Sequence, residues 1–231
     1  MYIGGLQKLT LLDYPGHIAC TVFTAGCNFR CPFCHNSSLV LPDEFGPPVG
    51  ADELLGFLRK RRGILDGVAV TGGEPLLHAD LPELLREIKA LGFLVKLDTN
   101  GTFPDRLEAV IEEKLVDRVA MDIKNSPALY AETAGVPGLD LTRVDRSRAL
   151  LLEGRVEYEF RTTVVKPLHT EDSLIEAAKW ISGAAEYYLQ QYKDPGSVID
   201  NTGLGSYDEA QMRAFAEAVR PFVPSVQLRG I

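Results

Sequence analysis

The chain has 231 residues, 45% of them hydrophobic and 24% charged, which is enough to bury the core of one domain. Its 32 acidic against 24 basic side chains give a formal charge of −8, which argues against a general affinity for nucleic acid or an anionic membrane. No apolar run approaches membrane-spanning length, and "MYIGGLQKLTLLDYPG" lacks a signal-peptide core, so a cytoplasmic protein with reduced thiols is expected.

Short β-rich runs alternate with segments of helical period. The first predicted strand is "HIACTVF" around Ala19, followed by a loop over Leu41 to Gly50 and a helix whose Leu54, Leu55 and Leu58 share one face, with Asp52 as N-cap. "GVAVTG" around Ala69 is the second strand. The helix after it carries Leu84, Leu85, Ile88 and Leu91 between an Asp80 cap and Gly92. "FLVKLDT" around Val95 leads to a helix with Leu107, Val110, Ile111 and Leu115, and "RVAMDIK" around Met121 to one with Leu150 and Leu151. "VEYEFRTTVV" around Phe160 precedes Leu174, Ala178 and Ile181; "EYYLQQY" around Leu189 precedes Met212, Phe215 and Val219, opened by a Ser206–Glu209 capping box; "SVQLRG" closes the chain.

Alternation of this kind demands parallel strands joined by right-handed helical crossovers. The expected fold is α/β, an incomplete (β/α)6 TIM-like barrel with a C-terminal strand, in a single domain over residues 1–231. No Gly-x-Gly-x-x-Gly turn follows the first strand, so a dinucleotide-binding fold is disfavoured, and the chemistry is expected where strands end and loops begin.

"AGCNFRCPFCHN" places Cys27, Cys31 and Cys34 within eight positions. Thiolates are soft ligands, and this spacing lets one loop wrap three sulfurs around a metal centre. A structural zinc with His35 as fourth ligand is one reading, although zinc knuckles pair two short ligand turns and no second pair is present. Three ligands on a four-iron cube would instead leave one iron open. Cys20, seven residues earlier on a strand, reads as a small buried hydrophobe, and His17, His78 and His169 as surface or turn residues.

"TGGEP" ends the second strand, where Gly72 and Gly73 allow close backbone approach and Glu74 offers an acceptor to an ammonium; the same residues would serve a tight turn before a helix opened by Pro75. Asp98, Asp122 and Lys124 are charged residues at the ends of otherwise apolar strands. Singly, Asp98 could cap a turn with Asn100 and Gly101, and Asp122 could pair with Lys124. Arg161 stands on the fifth strand, Gln191 and Tyr192 at the end of the sixth, and Asp13 in the turn before the first.

The C-x3-C-x2-C pattern with Phe33 before the last cysteine resembles the radical S-adenosylmethionine superfamily. The resemblance implies that Cys27, Cys31 and Cys34 hold one 4Fe-4S cluster whose open iron takes the amino and carboxylate groups of S-adenosyl-L-methionine. It further implies cofactor contacts from Phe33, Gly72, Gly73, Glu74, Asp98, Asp122, Lys124 and Arg161. "LQKLTLLDYPG", "CHN" and "VQLRG" are similar to the activating enzymes of glycyl radical enzymes, most like the activating protein of the anaerobic ribonucleoside-triphosphate reductase. An activase implies a glycyl radical enzyme as protein substrate, met by Asp13, Gln191 and Tyr192, and a flavodoxin- or ferredoxin-type electron donor. "LQQYK" lacks a histidine common in the pyruvate formate-lyase activases. The alternative is a small-molecule enzyme similar to 7-carboxy-7-deazaguanine synthase, although His35 and Asn36 stand where that family usually has an acidic residue. From a different class, a zinc-dependent binding module would carry stoichiometric zinc in place of iron and sulfide.

Overall fold

The computed structural model describes residues 1–194 and 196–231. In chain order the strands are β1 Ile3–Thr10, β2 Ala19–Thr24, β3 Gly67–Gly72, β4 Leu94–Thr99, β5 Arg118–Asp122, β6 Glu157–Val164, β7 Tyr187–Gln191 and β8 Val226–Arg229. The helices are α1 Ser37–Val40, α2 Ala51–Arg59, α3 Leu81–Ala90, α4 Pro104–Glu112, α5 Tyr130–Thr133, α6 Leu141–Leu152, α7 Glu171–Trp180 and α8 Glu209–Val219. Strand order in the sheet follows chain order from β1 to β8. Among the described residues, six strand-then-helix units run from β2 to α8 before β8, the α/β order of an incomplete (β/α)6 barrel.

From the sequence the sheet is expected to start at β2, but β1 precedes it and pairs with it antiparallel. "IGGLQKLT" gave no period-two signal because only its ends, Ile3 and Thr10, are buried, while Gln7, Lys8 and Leu9 are exposed.

The chain gathers into two units. The first comprises Met1–Asn28, Ser38–Ala120 and Arg155–Glu157. Here β2 pairs parallel with β3, and β3 with β4. Successive side chains of a strand point to opposite faces, so Val95 and Leu97 of β4 share the apolar face and Lys96 and Asp98 the other. The stripes Leu54, Leu55, Leu58 of α2, Leu81, Leu84, Leu85, Ile88 of α3 and Leu107, Val110, Ile111 of α4 are buried, each such side chain contributing roughly 1.5–3 kcal/mol relative to exposure.

The second unit comprises Phe29–Ser37, Met121–Gly154 and Tyr158–Ile231. β6 pairs parallel with β7, and β7 with β8. Phe160, Thr162 and Val164 lie on one face of β6 and Glu159, Arg161 and Thr163 on the other. α8 packs on β7, β8 and α7 through Met212, Phe215, Ala216 and Val219.

Three caps differ from expectation. α2 starts at Ala51 with Gly50 as N-cap, so Asp52 lies in the first turn, where its charge still suits the helix dipole. Asp80 occupies the N-cap place of α3, but its carboxylate meets the amino group of Met1 instead of capping. The capping box of α8 is Asp208 with Gln211, while Ser206 donates to the Tyr192 carbonyl. Gly92, at φ +90°, follows α3 as expected.

Candidate functional site

In the first unit, the ends of β2, β3 and β4 lock together around Cys27. β2 ends at Thr24, and the chain turns through Gly26 at φ +94° into Cys27. The Gly73 amide donates to the Thr24 carbonyl (2.8 Å) and the Glu74 amide to the Gly26 carbonyl (2.8 Å). Gly72 sits at φ +120°, and a Cβ there would overlap the Thr24 backbone; a Cβ on Gly73 would overlap the Gly26 carbonyl oxygen. The close approach that these glycines permit is thus made by the chain's own backbone.

Glu74 is fully buried, and its carboxylate is engaged from within. One oxygen accepts from the Leu76 amide (3.0 Å) and the Thr99 hydroxyl (2.9 Å), the other from the Asn100 amide (2.6 Å). A buried carboxylate requires such donors. Glu74 therefore joins the β3 turn to the β4 turn, a positioning role that sequence spacing could not show. Asn100 continues the network: its Oδ1 accepts from the Thr102 amide (3.0 Å) and hydroxyl (2.6 Å), and its Nδ2 donates to Asn28 Oδ1 (2.9 Å) and lies 3.9 Å from Cys27 Sγ. Asp98 pairs with Lys96 on the same face of β4, and Asp13 accepts from the Thr21 hydroxyl on β2.

In the second unit, the loop with Cys31 and Cys34 is fastened from two sides. The Cys34 amide donates to the Cys31 carbonyl (3.0 Å), the Arg30 amide to the Ala134 carbonyl (3.0 Å), and the Asp200 amide to the Pro32 carbonyl (2.9 Å). Phe29 meets Tyr130 edge-on, and Phe33, 5% exposed, meets His169 edge-on, each with ring centroids 6.4 Å apart. Tyr130 donates to the Asp122 carbonyl (3.0 Å). His169 is wholly buried, contrary to the surface or turn position expected. Its Nδ1 accepts from the Val165 amide (3.1 Å), so Nε2 carries the proton and donates to the Lys124 carbonyl (2.7 Å). Cys20 is buried on β2, as expected of a small hydrophobe.

Gly135 completes the clamp at φ +66°, where a Cβ would overlap the Arg30 carbonyl. Gly138 has a similar φ of +73° with nothing within 4 Å of a Cβ. Gly138→Ala is expected to lose about 1–2 kcal/mol, the left-handed backbone penalty. Gly135→Ala adds overlap with a backbone oxygen, so roughly 2–5 kcal/mol is expected in sum. Urea unfolding of the two variants checks this; equal losses would remove the clamp.

Asp122 is the electrostatic centre of this unit. Its Oδ1 accepts from Arg161 Nε (3.0 Å) and its Oδ2 from Lys124 Nζ (2.9 Å). Burial alone would raise its pKa, but Arg161 and Lys124 outweigh it and hold the carboxyl at about 2. Burial would likewise lower Lys124, yet Asp122 raises it. Burial pushes the Cys31 thiol up to about 11 and raises that of Cys34. Gln191 donates to the Tyr207 carbonyl (2.7 Å). Tyr192 is buried with its ring 5.6 Å from that of His35, and its hydroxyl has no partner among the described residues.

Among the described residues, no three His, Cys, Asp or Glu side chains converge on a point where they could hold a single metal ion, and no cysteine is in a disulfide. No helix among them is long and apolar enough to cross a membrane.

Residues 21–181 match the family model described as the Radical SAM superfamily. The chain belongs to the radical SAM superfamily. Over 238 aligned residues, 99% of this chain and 96% of the relative, it is 31% identical to a protein of Methanocaldococcus jannaschii provisionally named a glycyl-radical enzyme activating enzyme. Over 92 residues, 39% of this chain and 38% of the relative, it is 39% identical to 7-carboxy-7-deazaguanine synthase of Hyperthermus butylicus. Its fold is similar to that of Streptococcus suis SuiB bound to precursor peptide SuiA, with TM-score 0.71 and 18% identity over 91% of this chain and 48% of that one.

Radical SAM proteins carry a 4Fe-4S cluster and bind S-adenosylmethionine, and these are the cofactors of this chain. Its donor chemistry fits them: three thiols outside any disulfide follow β2, a buried amide faces the first of them, and a carboxylate ringed by two cations ends β5. The zinc-module alternative gives way to this assignment.

Proposed function

We propose that the protein is an activase that reductively cleaves S-adenosylmethionine and generates a glycyl radical on a partner enzyme, the anaerobic ribonucleotide reductase being the first partner to test. The observation that carries this reading is the end-to-end similarity to the M. jannaschii protein, 99% of this chain against 39% for the 7-carboxy-7-deazaguanine synthase.

In this reading Cys27, Cys31 and Cys34 hold the cluster as thiolates. When bound, the cluster and S-adenosylmethionine supply a 5′-deoxyadenosyl radical that takes a hydrogen atom from the partner's glycine. Asp122, Lys124 and Arg161 together carry one net positive charge, which suits the cofactor's carboxylate, while Asp98 and Asp122 offer acceptors to its ammonium. Gly72, Gly73 and Glu74 shape the strand end beside Cys27, and Phe33 packs within the cysteine loop. Asp13, Gln191 and Tyr192 are assigned to the partner's glycine loop, for which Gln191 must first release Tyr207 and Tyr192, buried beside His35, must be uncovered. The electron donor is of flavodoxin or ferredoxin type, and the setting is cytoplasmic, in keeping with cysteines outside disulfides.

The test mixes the reduced, iron-loaded protein with the candidate reductase and S-adenosylmethionine under anaerobic conditions. The expected result is stoichiometric 5′-deoxyadenosine per radical and a doublet electron paramagnetic resonance signal that collapses when the glycine is α-deuterated. Repeated turnover of a purine-like small molecule without any partner protein would overturn the activase in favour of the synthase-like enzyme.

A further inference from the structure

We infer that Asn100 is a positioning residue that donates a hydrogen bond to the Cys27 sulfur and makes the cluster easier to reduce. The inference rests on Cys27 being a cluster ligand, as proposed above.

Asn100 follows β4 and is 5% exposed. Its backbone amide is fixed to Glu74 (2.6 Å), itself fully buried and tied to the β3 turn. The amide plane is fixed as well. The Thr102 backbone N–H can only donate, so the atom 3.0 Å from it is the Asn100 oxygen, and the nitrogen takes the other side. That nitrogen has two hydrogens. One goes to Asn28 Oδ1 at 2.9 Å, and Cys27 Sγ lies 3.9 Å away for the other. Asn28 Nδ2 in turn donates to the Thr102 hydroxyl at 2.9 Å, which closes a ring of side chains around the residue next to Cys27.

A protonated thiol is a weak acceptor, but a ligating thiolate attracts a donor strongly, because charge-assisted hydrogen bonds are the stronger ones. Reduction adds an electron to the cluster and increases negative charge on its sulfurs. A donor aimed at one of them stabilises the reduced form more than the oxidised one and raises the potential. Asn100 thus eases the single electron transfer from the ferredoxin- or flavodoxin-type donor.

The experiment measures iron, sulfide and midpoint potential by titration followed with electron paramagnetic resonance, on the wild type, Asn100→Ser, Asn100→Leu, Thr102→Val and Cys27→Ala. Serine preserves a turn through its hydroxyl but cannot reach Cys27, and leucine keeps the volume without a donor, so either variant that loads serves as the readout. The expected result is full iron with a more negative potential in the Asn100 variants and an unshifted potential in Thr102→Val, which keeps the amide. Full iron with an unchanged potential would overturn the role of Asn100 and leave the cluster reading intact. An equal shift in Thr102→Val would assign the effect to the turn and overturn it too. Full iron in Cys27→Ala would overturn the underlying ligand assignment.

Discussion

Cys27→Ala, Cys31→Ala and Cys34→Ala are each expected to lose most of the iron bound after anaerobic reconstitution, whereas Cys20→Ala keeps it. Cluster ligation needs every thiolate, and a 4Fe-4S cube already one ligand short tolerates no further loss. Cys20 is fully buried on β2, and burial pushes its thiol up to about 12, so it remains protonated and inert. Its removal deletes one small buried group and costs on the order of 1 kcal/mol. The same logic sets a pH trend. Cys31, at about 11, and Cys34 are protonated in the metal-free chain at neutral pH. Ligation releases those protons, so iron retention should strengthen as pH rises. Iron and sulfide analysis of the four variants decides the assignment, and equal loss in all four would contradict it.

Gly73→Ala is expected to part the β3 turn from the approach to Cys27. The atom in the way is the Gly26 carbonyl oxygen, which belongs to the backbone and cannot rotate aside as a flexible side chain could. Overpacking costs roughly 1–3 kcal/mol. Displacing Gly26 also breaks its hydrogen bond from the Glu74 amide, a further 0.5–1.5 kcal/mol or so. Gly56→Ala is the control. Gly56 lies inside α2 with open space around a Cβ, so alanine there should stabilise by about 0.5–1 kcal/mol. Opposite signs in urea unfolding, with iron lost only from Gly73→Ala, are the expected outcome. A neutral Gly73→Ala would mean that the strand ends are not packed as described.

The strands from β2 onward were legible because a parallel strand under a helix must be apolar and β-branched, as "GVAVTG" and the face of β4 with Val95 and Leu97 are. β1 was not, since it is an edge strand with two glycines and no alternation. Within the site, the cysteines announce themselves through local spacing. Glu74 looked like a ligand acceptor because its donors at Thr99 and Asn100 stand 25 and 26 positions away. Gly135 and His169 gave no signal at all. What makes them matter is contact with Arg30 and Phe33, more than a hundred positions earlier, and only the fold creates those contacts.

The clamp on the cysteine loop has a consequence for how the protein is made. Arg30 is fastened by Ala134 and Gly135, which leave the ribosome long after it. At about 5–20 residues per second, roughly 5–20 s separate the synthesis of Cys34 from that of Gly135. For that interval the nascent loop carries reactive thiols with no backing. Iron delivered then would meet an unformed cradle, and oxidants would meet unprotected sulfur. In the proposed reading, productive loading waits until the segment through Gly135 has emerged and docked, so cluster delivery follows the synthesis of more than half of this chain.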